Sequence, residues 1–103
     1  MTKIAVLGNG SWGSVLGSML ADNGKDVTLH GNIESVHEEI NAKHTNSHYM
    51  KDWKLNETTK ATGNLEEALD GAELVLFVLP TKAVRIVAKQ VRKVLDKTGN
   101  KPL

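Results

Sequence analysis

Residues 3–13 read Lys-Ile-Ala-Val-Leu-Gly-Asn-Gly-Ser-Trp-Gly, and their order decides the fold. Five residues of strand character, Lys3 to Leu7, run directly into Gly8-x-Gly10-x-x-Gly13, and a helix-like pattern follows from Ser11 to Asn23. Three glycines at this spacing carry little information alone. Set between a strand and a helix, they form the dinucleotide-binding fingerprint of a Rossmann unit. Gly8 permits the sharp turn out of the strand, Gly10 lets the backbone approach a pyrophosphate, and Gly13 lets the helix pack closely on the first strand. The helix start presents unpaired N–H groups and the positive end of a dipole, which together make an anion site. Ser11 is either a hydroxyl donor to a phosphate oxygen or an ordinary helix-start residue. Trp12 lies against the cofactor or packs on the sheet, and residue type alone favours packing.

Working outward, Val15, Leu16, Met19 and Leu20 recur at helical spacing and are expected to face the sheet, with Gly17 and Ser18 keeping part of the helix thin. Asn23-Gly24 stops the helix. Asp26 to His30 reads as a second strand, parallel to the first because a helix intervenes. The end of such a strand commonly carries an Asp or Glu for the ribose 2′-hydroxyl of NAD, or has an Arg nearby for the 2′-phosphate of NADP. Here it carries His30, Gly31 and Asn32, with the first acid at Glu34. Losing the carboxylate removes repulsion of a 2′-phosphate, although no basic residue clamps one, so these residues lean towards NADP or dual use.

A short helix is expected from Ile33 to Ala42, with Ile33, Val36 and Ile40 towards the sheet. The polar stretch from Lys43 to Thr59 is expected to be an ordered loop anchored by Tyr49, Met50 and Trp53. His44 and His48 are four apart but lack a third ligand, so no metal site is assigned. Lys60 to Thr62 reads as a short third strand, and Asn64 caps a helix through Leu69 in a box-like arrangement with Glu67. Leu74 to Leu79 is an uninterrupted apolar run, as expected of a central parallel strand covered on both faces. Pro80 ends it, and a helix follows from about Thr81 to Asp96 with Val84, Val87, Val91 and Val94 or Leu95 buried. Its other face carries Lys82, Arg85, Lys89, Arg92, Lys93 and Lys97, a stripe of the kind usually found on solvated helix surface. The whole is an α/β chain: a Rossmann-type parallel sheet in strand order 3-2-1-4 with helices on both faces.

The 103 residues make one domain, large enough for a core but small for a complete dehydrogenase. Thirteen basic and 12 acidic side chains leave a net charge of +1, which gives no electrostatic case for nucleic acid or an anionic membrane. The absence of cysteine excludes disulfides and thiolate chemistry. No apolar run is long enough to span a bilayer and no signal-peptide pattern opens the chain, so the expected location is cytoplasmic.

The residues also resemble a particular family. Gly8-Asn9-Gly10-Ser11-Trp12-Gly13, the Asn23-Gly24 turn, Ile40-Asn41 with His44-Thr45-Asn46 and Tyr49, Ala61-Thr62, and Leu79-Pro80-Thr81-Lys82-Ala83-Val84-Arg85 together resemble the amino-terminal part of bacterial-type NAD(P)-dependent glycerol-3-phosphate dehydrogenases. The resemblance implies an oxidoreductase that uses NAD or NADP to reduce dihydroxyacetone phosphate to sn-glycerol 3-phosphate for glycerophospholipid synthesis. It implies cofactor contacts from Ser11, Trp12 and Tyr49, a nicotinamide-side wall from Pro80 and Thr81, and an adenosine-side position at Asn32, where the family often has Arg, Lys or His. It further implies a following strand with a lysine and then a helical domain with the catalytic lysine. By that resemblance the sequence stops before that strand, so residues 1–103 are expected to be an amino-terminal fragment with no catalytic residue of its own, and neither Lys97 nor Lys101 is assigned that role. Self-association through an unpaired strand edge is also expected. Two other readings stay open, a non-catalytic nucleotide-sensing Rossmann domain and a dehydrogenase for another small substrate.

Overall fold

The computed structural model describes residues 2–99 and 102. Strand β1 (Lys3–Leu7) lies in the middle of a four-stranded parallel sheet. It pairs on one side with β2 (Asp26–His30), from Lys3 opposite Asp26 to Leu7 opposite His30, and on the other with β6 (Leu74–Phe77). Strand β5 (Lys60–Thr62) continues the sheet beyond β2. Two further strands, β3 (Thr45–Asn46) and β4 (Met50–Lys54), form a separate antiparallel hairpin. The simple order 3-2-1-4 therefore does not number this sheet, which runs β5-β2-β1-β6 because the hairpin strands precede Lys60 in the chain.

Parallel strands need crossovers, which helices α1 (Ser11–Asp22), α2 (Glu34–Lys43) and α3 (Leu65–Leu69) provide, and α4 (Thr81–Thr98) follows the last described strand. The side-chain alternation of β1 divides the core. Ile4 and Val6 point into one cluster with Val27, Leu29, Val36 and Ile40, whereas Ala5 and Leu7 point into another with Leu69, Ala72 and Val91. Both faces of the central strand are thus dry, and a continuous apolar run is what that placement requires.

Four expectations change at this level. The face of α1 that lies on the sheet is built from Gly13, Ser14, Gly17, Ser18 and Ala21, while Leu16 and Met19 point outward. A Cβ on Gly17 would come within 2.6 Å of Leu29 Cδ2 and 3.3 Å of Val27 Cγ1, so only a thin face allows the helix so near the strands. Trp12 does not pack on the sheet, being 80% exposed. The stretch from Lys43 to Thr59 is not a plain loop: it holds the hairpin, and buried Asn46, Leu55 and Thr59 anchor it rather than the exposed Tyr49 and Trp53. Finally, β6 is an edge strand among the described residues, only partly buried, with Phe77 exposed.

The local caps follow from side-chain chemistry. Asn64 Oδ1 accepts from the Glu67 backbone N–H at 3.1 Å, the expected N-cap of α3. The reciprocal half of the box is replaced by Thr62, whose hydroxyl accepts from the Asn64 N–H at 3.0 Å. Helix α2 ends at His44 in the left-handed region (φ 60°), and the His44 carbonyl then accepts from the Leu55 N–H at 2.7 Å, which ties the hairpin to the helix end.

Candidate cofactor-binding site

The glycine loop sits where β1 delivers it, at the carboxyl end of the sheet. Gly8 turns out of the strand with φ 119°, and its N–H donates to the His30 carbonyl at 2.8 Å. A Cβ there would collide with the Val78 carbonyl, and one on Gly13 would collide with the Gly8 carbonyl. Gly10 differs from both. The nearest atoms to a Cβ on Gly10 are those of the Tyr49 ring, at 3.9 and 4.0 Å, so the side facing out of the loop is open. Gly8 and Gly13 hold the fold together, and Gly10 keeps a surface free for something to approach.

Helix α1 starts at that surface without a side-chain cap and without an acidic residue in its first turn. Its first-turn N–H groups and the positive end of its dipole therefore remain available to an anion. Ser11 does not cap the helix: its hydroxyl donates to the Tyr49 carbonyl at 3.3 Å. That contact fastens the hairpin over the glycine loop. His48 stacks edge-on against the Tyr49 ring with centroids 4.6 Å apart. Among the described residues no group of three His, Cys, Asp or Glu side chains is arranged to hold a metal.

A buried polar triad supports the loop from behind. Ser14 Oγ donates to the Asn9 carbonyl at 3.0 Å, and Asn46 Nδ2 donates both to that carbonyl, at 2.8 Å, and to Ser14 Oγ, at 3.0 Å. The Asn9 side chain lies against Gly31, where a Cβ would overlap it. Sequence reasoning did not give Asn9, Ser14 or Gly31 a role in the site. The signal for Gly31 was its place directly after β2, but the reason for a glycine there is a contact with a residue 22 positions earlier.

Most of the residues singled out from sequence come together. One cleft of about 400 Å³ is lined by Gly8, Gly10, Asn32, Tyr49 and Pro80. A second, of about 520 Å³, is lined by Gly10, Ser11, Trp12, Gly13 and Pro80. Pro80 caps α4, and Thr81 opens that helix as an exposed residue that lines neither cleft. Next to Asn32, a narrower slot of about 280 Å³ runs between Leu7, His30 and Leu79 on one side and Ile86 and Val87 of α4 on the other. Burial holds the His30 imidazole below its ordinary pKa; a hydrogen bond with the Gly63 backbone opposes that shift, and His37 adds to it.

The basic stripe of α4 is exposed, as expected, and two of its members are paired, Arg92 with Asp96 at 3.8 Å and Lys97 with Glu66 at 3.3 Å. No helix of the described residues is long and apolar enough to cross a membrane.

This chain is similar to known proteins. The glycerol-3-phosphate dehydrogenase [NAD(P)+] of Lactobacillus helveticus is 89% identical over the whole chain, and that of Lactobacillus acidophilus is 84% identical. The chain spans about 30% of the length of each of these curated relatives. The crystal structure of glycerol-3-phosphate dehydrogenase from Coxiella burnetii superposes with a TM-score of 0.82 at 32% identity, covering 90% of this chain and 29% of that one. Residues 3–101 match the family described as NAD-dependent glycerol-3-phosphate dehydrogenase N-terminus, and the chain belongs to that family.

Proposed function

We propose that residues 1–103 are the cofactor-binding domain of an enzyme that transfers hydride between NAD(P)H and dihydroxyacetone phosphate, giving sn-glycerol 3-phosphate in the cytoplasm for glycerophospholipid synthesis. The observation that carries this reading is the open face of Gly10 beside the uncapped start of α1, where a pyrophosphate would meet unpaired backbone N–H groups. The slot between His30 and Ile86 suits a flat aromatic base, with Asn32 at the ribose. Ser11 and Tyr49 close over the loop, and Trp12 and Pro80 line the cleft on its other side.

When bound, the nicotinamide supplies the hydride chemistry. The work of this chain is to bind and orient. Stabilisation of the developing alkoxide, and the catalytic lysine, are assigned to a helical substrate domain in the part of the relatives' length that this chain does not span. The chain alone is therefore expected to reduce no dihydroxyacetone phosphate above background. The exposed edge of β6 also offers a surface for pairing with a second copy; a concentration-dependent rise in sedimentation coefficient is expected, and a strictly monomeric profile would remove that part of the proposal.

The decisive test is titration of the chain with NADH, followed by protein fluorescence, alongside the Gly10→Val variant. Because Gly10 has room for a side chain, the variant is expected to keep its circular dichroism spectrum and melting temperature and to lose cofactor binding. A variant that binds as the parent sequence does would overturn the placement of the pyrophosphate.

A further inference from the structure

The strand-end position that commonly distinguishes NAD from NADP is neutral here, at Asn32, but three carboxylates return to the same place from elsewhere in the chain. A polar cleft of about 650 Å³ opens beside Gly31 and Asn32, between α2 and the loop that leads into α3. Its ionisable lining consists of Glu34 and Glu38 from α2, Glu67 from α3, and His37. No lysine or arginine lines it among the described residues. His37 is buried, its ring nitrogens have no hydrogen-bond partner among the described residues, and Nδ1 faces the Glu34 carboxylate at 3.9 Å.

We propose that this chain selects NAD(H) against NADP(H) through the carboxylates of Glu34, Glu38 and Glu67, which line the cleft beside Asn32 that receives the cofactor's 2′-substituent. The inference rests on the cofactor reading given above. A 2′-phosphate brings close to two negative charges into this cleft, where like charges disfavour it and no guanidinium or ammonium compensates. Helix α2 begins at Ile33 without a side-chain cap and would otherwise offer an anion its dipole, but Glu34 in the first turn already occupies that favourable end. A ribose 2′-hydroxyl carries no charge and can donate to a carboxylate or to the Asn32 side chain, so NAD(H) meets none of this opposition.

The test compares dissociation constants of the chain for NADH and NADPH by fluorescence titration at low and high salt. NADH is expected to bind at least about tenfold more tightly at low ionic strength, with the ratio shrinking as salt screens these exposed charges. In the double variant Glu34→Gln, Glu38→Gln the ratio should fall at least threefold, and adding Asn32→Arg should bring NADPH to parity or beyond. Both variants change exposed residues, and an unchanged melting temperature verifies the fold. Equal affinity for the two cofactors, or a ratio that ignores both salt and the double variant, would overturn the selection mechanism while leaving the cofactor reading intact. Binding of neither cofactor would overturn both.

Discussion

Helices α1 and α4 both flank β1, on opposite faces of the sheet, and they solve the packing problem in opposite ways. Helix α1 presents Gly13, Ser14, Gly17, Ser18 and Ala21 to the strands and leaves Trp12, Leu16 and Met19 in solvent. Helix α4 presents Val87, Val91, Val94 and Leu95, with basic residues outside. The branched stripe of α4 is filled by side chains and leaves a slot of about 280 Å³ beside His30. The thin face of α1 brings its backbone against the Gly8 carbonyl and the β2 side chains. That close approach sets the first turn of α1 at the glycine loop, so the thin packing surface is the one that presents the helix's unpaired N–H groups there.

If the closeness of α1 is essential, the largest effect should come from filling it. Gly17→Val places a Cβ 2.6 Å from Leu29 Cδ2 in the fully buried core, and overpacking of this kind is expected to cost about 3 kcal/mol. Urea denaturation of the variant measures it, and a loss near zero would mean that α1 can stand off without penalty. On the other helix, Val91→Ala removes two buried methyl groups and is expected to cost about 2 kcal/mol in the same assay.

A smaller effect should appear at the slot left by α4. Because burial lowers the His30 pKa in the fold, the unfolded chain takes up a proton near the ordinary value of about 6.5 while the folded chain does not. The resulting contribution is therefore full above about pH 6.5 and is lost as pH falls from there towards the lower folded value. Thermal melts between pH 7.5 and 5.5 should show that decline, and His30→Gln should flatten it. The smallest effect is expected at the outer face of α1, where Met19→Gln, at a position 56% exposed, should change stability by no more than about 0.5 kcal/mol. A large loss there would mean that the outward face is packed after all.

The comparison also explains what was readable. Periodicity located α4 and its packed side, where Val91 is buried and Val87, Val94 and Leu95 are partly buried against the core, while Val84 is outside that cluster, because an amphipathic stripe is a record of which side is dry. The same reasoning applied to α1 pointed the wrong way. Of the large residues expected on the sheet, Leu20 packs against the core but Leu16 and Met19 point outward, and the buried residues are small enough that a hydrophobicity pattern passes over them. The bounds of β1 and β2 were legible because each is a short run of strand-forming residues followed directly by glycine, Gly8 and Gly31. The β3–β4 hairpin was not, since its anchoring depends on Asn46 reaching Asn9, 37 positions away.

Some features of this protein were settled by the order of its residues. A strand, three glycines and a helix set a turn at Gly8 whose φ of 119° suits glycine, and that order of elements carries the expectation of a dinucleotide site. The apolar run of β1 dictates a strand covered on both faces. Other features arose only when distant segments met. The difference between Gly10, which is open, and Gly13, which is pressed on a carbonyl, is a matter of neighbours rather than identity. The charge around Asn32 is likewise set by Glu38 and Glu67, from two different helices, because electrostatic interaction follows distance in space and not separation along the chain.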